Sequence, residues 1–247
     1  VASLRDRFFV EGVHAIGESV AFAPDDARKI ATVLRARSGD RVQVIDSAGS
    51  AFGASLAVQG GAVTATLDER IERGARESAV RVTVAQAIPK GQKMDLIVEK
   101  ATELGAVAIV PLRSERVVGE RTGEHKVERW QRLAKSAAQQ CGRTVIPSVA
   151  PIAGWDELIA TFPGYERVYI PWELADVRPL REVFDADAPR LTSVLFVIGP
   201  EGGFSASEVE RAVAAGARAI SLGTRILRTE TVALTVLAAF AYARGDL

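Results

Sequence analysis

Apolar positions along the chain follow two regimes that change near residue 80. In the first stretch they alternate with polar ones over short runs. Arg41–Ile45 (RVQVI), Ala51–Val58 and Ala62–Leu67 each read as a strand of period two. Asp46-Ser47-Ala48-Gly49 and Gln59-Gly60-Gly61 supply turn residues between them. Asp25–Arg37 has a helical period instead, with Ile30, Val33 and Leu34 on one face and Arg28, Lys29, Arg35 and Arg37 over much of the rest. The spacing predicts a compact β-barrel with one helix over residues 1–73, followed by a polar linker, Arg70–Ser78 (RIERGARES).

From Val80 the pattern becomes an alternation of apolar strands and amphipathic helices. Val80–Ile88, Ala106–Leu112, Val168–Trp172, Ser193–Ile198 and Ala217–Leu222 read as buried strands. Gln92–Leu104 is a helix with Met94, Ile97, Val98, Ala101 and Leu104 on one side, stopped by Gly105. Val127–Cys141 is a second, striped by Val127, Trp130, Leu133, Ala134, Ala137 and Cys141. Ser205-Ala206-Ser207-Glu208 is a capping box that opens a short helix ending at Gly216, and Thr231–Arg244 is a final, strongly apolar helix. Residues 74–247 therefore predict an α/β domain whose mostly parallel sheet is covered on both faces.

Composition narrows the chemistry. Hydrophobic residues make up 48% and charged residues 25% of 247 residues, enough to build a real core and unlike a disordered chain. The longest apolar stretch, Val232–Ala243, is broken by Thr235 and falls short of the roughly 20 residues that cross a bilayer. No signal peptide is readable in Val1–Val10, which carries Arg5, Asp6 and Arg7, so a cytoplasmic protein is expected. One cysteine, Cys141, and two histidines, His14 and His125, argue against a disulfide and a Cys/His metal centre. Net charge is zero, unlike many nucleic-acid binders. Between Arg113 and Arg143, however, eight basic residues face four acidic ones, which could form one basic face or helix surfaces paired with glutamates.

Ligands of open α/β sheets bind at the carboxyl ends of the strands. Two loops at such ends are dense in special residues. Ile198-Gly199-Pro200-Glu201-Gly202-Gly203-Phe204-Ser205 suits close backbone approach to a ligand, or is a glycine-rich turn from strand to helix. The absence of GxxxxGKS/T and GxGxxG disfavours a polyphosphate or dinucleotide site, and Glu201 would repel phosphate. Leu222-Gly223-Thr224-Arg225-Ile226-Leu227-Arg228-Thr229-Glu230 places two apolar residues between two arginines. Ile226 and Leu227 could pack on a planar base, or could be core residues beside solvated arginines.

Taken together, IGPEGGFSxxE (198–208) followed by SLGTRILRTET (221–231) resembles the signature pair of the SPOUT-class methyltransferases that act on N3 of a uridine in 16S ribosomal RNA. KGQKMDLIVEKATELGAV (90–107), PLRSER (111–116), RWQRLAKSAAQQCGR (129–143) and VLRARSGD (33–40) resemble that family in order and spacing, so the likeness spans essentially the whole chain. It departs at Lys29, where the family often has a histidine, and at Val232, where a smaller residue is common.

The resemblance implies an N-terminal PUA-like β-barrel that helps hold RNA and a C-terminal SPOUT α/β domain with a deep trefoil knot. It further implies S-adenosyl-L-methionine (SAM) as cofactor, a homodimer, and 16S ribosomal RNA, within the small subunit, as partner. By that likeness Pro171, Trp172, Ile198, Gly199, Pro200, Gly202, Gly203, Leu222, Gly223, Ile226, Leu227 and Arg228 line the cofactor site, with adenine against Leu222, Ile226 and Leu227. N3 of uridine bears an imide proton and lies on the Watson–Crick edge, so the base must be unpaired or flipped out. Arg228 is the first candidate to stabilise the developing anion, and Arg116 the second. Glu201 is either the general base or an acceptor that caps the loop's own amides. Arg5, Arg7, Lys29, Arg35 and Arg143 are expected as phosphate contacts. Two other readings keep much of this: a SPOUT enzyme with a different RNA target, and a non-catalytic RNA-binding assembly protein.

Overall fold

The computed structural model describes residues 6–60, 62–72, 77–116, 123–174, 179–187 and 190–247. The chain divides into two compact units, the first comprising Val1–Glu77 with Ala138–Val145 and the second Ser78–Ala137 with Ile146–Leu247.

In the first unit β1 (Arg7–Phe9), β2 (Ser19–Ala21), β3 (Arg41–Ile45), β4 (Ala51–Gln59) and β5 (Ala62–Arg70) form a curled five-stranded sheet in the order β1-β3-β4-β5-β2. β1 runs parallel to β3 and the other pairs are antiparallel. Alternation decides which side faces inward: Val63, Ala65 and Leu67 of β5 join Val42, Val44, Leu56 and Phe8 in the core. The turn between β3 and β4 closes on Asp46, whose buried carboxylate accepts from the Ala48 and Ser50 N–H groups at 2.9 and 2.8 Å. Gly53 sits inside β4 at a register shift, because a Cβ there would lie 2.8 Å from Arg41 Nη2 and 2.9 Å from Glu69 Cγ.

The helix expected over residues 25–37 is not continuous. α1 (Pro24–Arg28) starts with proline in its first turn, then passes into a π-helical turn, Lys29–Val33. It ends with Ala36 N–H on the Ile30 carbonyl at 3.0 Å and Arg35 at φ 49°. That is a left-handed helix stop, with arginine where glycine is usual.

In the second unit all six strands are parallel: β6 (Arg81–Ala87), β7 (Ala108–Leu112), β8 (Ser148–Val149), β9 (Arg167–Pro171), β10 (Ser193–Ile198) and β11 (Arg218–Ile220), ordered β11-β9-β10-β6-β7-β8. Seven-residue β6 and six-residue β10 lie at the centre and are buried almost throughout, because both of their faces are covered. One face packs on α2 (Lys93–Glu103), α3 (Glu124–Cys141), α5 (Leu180–Asp187) and α7 (Thr229–Arg244) through Met94, Ile97, Trp130, Phe184, Val236 and Phe240. The other packs on α4 (Trp155–Ile159) and α6 (Ala206–Ala214) through Trp155, Leu158, Val209 and Ala212. From β6 the chain moves outward to β7 and β8, whereas from β10 it moves the opposite way to β11. The crevice between the carboxyl ends of β6 and β10 is thus the topological switch point, where ligands of such sheets bind.

Ser205 caps α6 as expected, accepting from the Glu208 N–H at 3.2 Å while Glu208 accepts from Ser205 N–H at 2.9 Å. Glu208 is 1% exposed, and its second oxygen accepts from the Glu115 N–H at 2.9 Å, so one carboxylate closes the cap and anchors the segment after β7. Glu208→Ala leaves two part-buried N–H groups without this acceptor and should cost about 1–3 kcal/mol in denaturant unfolding. A loss under roughly 0.5 kcal/mol, the range of ordinary surface changes, would show that the tie is idle.

Candidate active site at the sheet switch point

Strand register brings the site together. Ile198, the last residue of β10, pairs with Gln86 of β6. The 199–205 loop leaves from there, tightened by Gly203 N–H on the Pro200 carbonyl at 3.0 Å and by Gly203 at φ +66°. Gly199 is pressed against its own loop: a Cβ there would lie 3.4 Å from the Gly203 backbone and the Phe204 ring. Phe204 is buried against Trp155, ring centroids 4.9 Å apart, and fixes the loop's far end.

Three partners hold the outer side of that loop. Arg116 donates Nη1 to the Gly202 carbonyl at 2.8 Å. Lys93 Nζ lies 2.7 Å from Glu201 Oε1 and 3.9 Å from Glu230 Oε2, and the Lys90 N–H donates to Glu201 at 3.1 Å. Burial raises the Glu201 carboxyl, but hydrogen bonds from Lys93, its own N–H and the Lys90 N–H, with the Lys93 charge, outweigh it and hold the group below its ordinary value. A depressed carboxylate is a weak base. Of the two readings of Glu201, these contacts favour the acceptor that caps the loop, and Arg116 is bonded to a carbonyl of the same loop.

Because its folded value lies below the unfolded one, the Glu201 carboxylate contributes fully above the unfolded value and loses that contribution as pH falls through the folded one. The tie should stay intact across about pH 5–8. In an NMR titration Lys93→Ala should move the Glu201 midpoint upward, and an unmoved midpoint would remove Lys93 as the cause.

The second loop follows β11. Ser221 is buried and its Oγ accepts from the Gly223 N–H at 3.2 Å, with Gly223 at φ +94°. Leu222 and Leu227 are half-buried, while Ile226 is 95% exposed. The two leucines thus lean inward, and Ile226 is a bare apolar side chain rather than a core residue. Arg225 and Arg228 are exposed and make no ion pair among the described residues. Arg228 is the N-cap of α7 through its backbone alone, with φ −68° and ψ 151° and no side-chain cap bond. Pro171 ends β9, Trp172 donates its N–H to the Ile220 carbonyl at 3.0 Å, and the Glu173 carboxylate reaches Gly203, whose Cβ would lie 3.2 Å from it.

A buried polar junction, which the sequence reading did not single out, joins the two loops. Thr229 Oγ1 donates to the Gly199 carbonyl at 2.6 Å, and Gln86 Nε2 lies 2.9 Å from Thr229 Oγ1 and from the Ala87 carbonyl. A glutamine in a strand buried on both faces was the one signal for it.

The phosphate candidates are placed unevenly. Arg7 Nε donates to Gln43 Oε1 at 3.0 Å, Lys29 Nζ stands 5.7 Å from the Phe8 ring centroid, and Lys29 and Arg35 are exposed. Arg143 differs from expectation. Only 5% exposed, it is forked onto Glu77 at 2.9 and 2.6 Å, so burial and pairing withhold it from phosphate. Arg5 lies outside the described residues.

A switch-point crevice with two close-backbone loops, a bare apolar side chain and free arginines defines an α/β domain suited to a nucleoside-type ligand. The family model for the RNA methyltransferase domain matches residues 76–241. The ribosomal RNA small subunit methyltransferase E of Bacillus subtilis is 32% identical over 97% of this chain and 99% of its own length. The chain belongs to this RNA methyltransferase family. The protein of the same name from Neisseria gonorrhoeae, solved with S-adenosyl methionine bound, superposes with a TM-score of 0.86 at 31% identity over 96% of this chain and 97% of that one. A Legionella pneumophila structure with bound SAM gives a TM-score of 0.82 at 28% identity, covering 98% of both chains.

Proposed function

We propose that this protein transfers the methyl group of SAM to N3 of a specific uridine in 16S ribosomal RNA, acting in the cytoplasm as a homodimer on the small subunit. The observation that carries this reading is the junction of the 198–208 and 221–231 segments at the switch point, in a chain alike end to end to small-subunit ribosomal RNA methyltransferases.

The residues present fit SAM. Gly203 and Gly223, both at positive φ, keep backbone bare where a ligand would lie close. Leu222, Ile226 and Leu227 supply apolar faces for the adenine, and the backbone of the same loop can bond its edge. Ile198, Gly199, Pro200 and Gly202 border the opposite side, with Pro171 and Trp172 at the end of β9. We retain the knot around this pocket, and the division into a PUA-like RNA-holding part over 1–73 and a SPOUT part over 74–247, as parts of the proposal.

Bound SAM supplies a methyl group made electrophilic by its sulfonium. The chain's part is to hold uracil N3 in line with that carbon, and orientation alone can remove a large share of the barrier. Deprotonated N3 spreads charge onto the flanking carbonyl oxygens, and the free guanidinium of Arg228 is the group that answers it. Glu201, engaged by Lys93 and the Lys90 N–H, is read as the loop's acceptor, and the N3 proton is released to solvent water as the N3–methyl bond forms. Arg7, Lys29 and Arg35 of the first unit meet phosphates.

Transfer of labelled methyl from SAM to small or large ribosomal subunits from cells lacking the enzyme tests the substrate class. Label in small subunits alone is the expected result, and label confined to large subunits would overturn it.

A further inference from the structure

Gln86 stands between Ala85 and Ala87 in β6, is wholly buried, and lies opposite Ile198 in the register. Its amide orientation follows from its neighbours. The nitrogen faces two carbonyl oxygens, those of Ala87 at 2.9 Å and Gly199 at 3.4 Å, together with Thr229 Oγ1 at 2.9 Å. Only an N–H can face two carbonyls, so the nitrogen belongs there. The oxygen, Oε1, is buried without a hydrogen-bond partner. Leaving such an acceptor unpaired is unfavourable, and an apolar side chain of similar size would avoid it. What glutamine alone provides here is the pair of N–H groups.

Those groups act on a peptide with few other restraints. Pro200 has no N–H, so the Gly199–Pro200 peptide can be held by hydrogen bonds only through the Gly199 carbonyl. Gly199 itself has no side chain to limit its rotation. That carbonyl receives Thr229 Oγ1 at 2.6 Å and Gln86 Nε2 at 3.4 Å. Thr229 is the first residue of α7 and directly follows Arg228. The junction therefore fixes the start of one cofactor loop against the end of the other, with Gln86 beneath both.

We infer that Gln86 is a positioning residue for methyl transfer, which turns the Gly199 carbonyl inward and sets the spacing of the 199–205 and 222–228 loops through Thr229. The inference rests on the proposed reading of those loops as the SAM site. Gln86 touches neither cofactor nor RNA in this role, so it acts on affinity and on alignment rather than on the chemistry of a bond.

The test is SAM calorimetry on the full chain with Gln86→Leu, Gln86→Glu, Thr229→Val, Thr229→Ser and the Gln86→Leu/Thr229→Val double variant, each checked by thermal unfolding. Gln86→Leu and Thr229→Val should each weaken SAM at least roughly 10-fold while the unfolding midpoint moves by no more than about 5 °C. Gln86→Glu should weaken SAM as well, since it keeps the shape and loses the donors. Thr229→Ser, which keeps the hydroxyl, should restore affinity to within about threefold of the unmodified protein. The double variant should be no worse than the weaker single one, because both remove the same restraint. Wild-type affinity in folded Gln86→Leu, or effects that add in the double variant, would overturn the inference. If Gln86→Leu does not fold, Thr229→Val against Thr229→Ser decides the matter alone. Failure of the unmodified protein to bind SAM would instead sink the reading of the loops, and the inference with it.

Discussion

Arg228→Ala is expected to lower the rate of methyl transfer by about 10²–10³-fold while the protein folds and binds SAM within a fewfold of normal. The residue is exposed, has no ion-pair partner among the described residues, and caps α7 only through its backbone, so truncation at Cβ leaves the helix start in place. What disappears is an exposed guanidinium that, like that of Arg225, has no ion-pair partner among the described residues, and that stands at the start of α7. Arg116 cannot substitute, because its guanidinium is engaged on the Gly202 carbonyl. Single-turnover assays separate transfer from binding. A rate within threefold of normal would remove Arg228 from the mechanism, and loss of SAM binding with transfer intact at saturation would make it a cofactor contact.

The second large effect is expected at Gly203. Its φ of +66° belongs to the left-handed region, and a Cβ there would meet the Glu173 carboxylate at 3.2 Å. Glu173 can swing aside, so the backbone decides. A β-branched residue held in that region is strained by about 1–3 kcal/mol, and the loop relieves the strain by leaving the geometry that faces the ligand. Gly203→Val should weaken SAM roughly 10–100-fold, the affinity equivalent of about 1.4–2.8 kcal/mol. Gly105→Ala is the control, since Gly105 has φ +90° but open space around it at the end of α2, away from both loops. It should cost about 1 kcal/mol of stability and leave SAM affinity unchanged. Equal affinity losses in the two variants would mean that global strain, and not the loop, is being measured.

Long, strongly patterned elements were legible before any coordinates. β3 and β10 coincide with the runs RVQVI and SVLFVI, and α2 buries the stripe of Met94, Ile97, Val98 and Ala101 that its period predicts. Short elements escaped. Three-residue β1 and β2, two-residue β8 and five-residue α4 hold too few positions to show a period. The helix through Arg37 failed for another reason: Ile30, Val33 and Leu34 fit a helical face, but the backbone closes on Ile30 and turns at Arg35, a local choice no periodicity records.

At the site the two loops stood out because glycine, proline and arginine are crowded into them. Their contacts did not. Glu201 faces Lys93, which lies 108 positions away in the chain, and no local pattern announces that pairing. Arg143 looked like any basic residue after a helix, yet a glutamate 66 positions earlier claims it. Gln86 meets Thr229 across 143 positions, and only the order of strands in the sheet brings them together. Sequence displays which residue types are present, whereas the partner that sets each one's charge and orientation comes from topology.

The measurement that bears most directly on the central claim is the identity of the methylated nucleoside. Small subunits from cells lacking the enzyme are incubated with it and isotopically labelled SAM, and their 16S ribosomal RNA is digested and resolved by mass spectrometry. Labelled N3-methyluridine at a single position is the predicted product. Label in a ribose 2′-O-methyl group, or on another base, would contradict the account of Arg228 as the answer to charge on uracil.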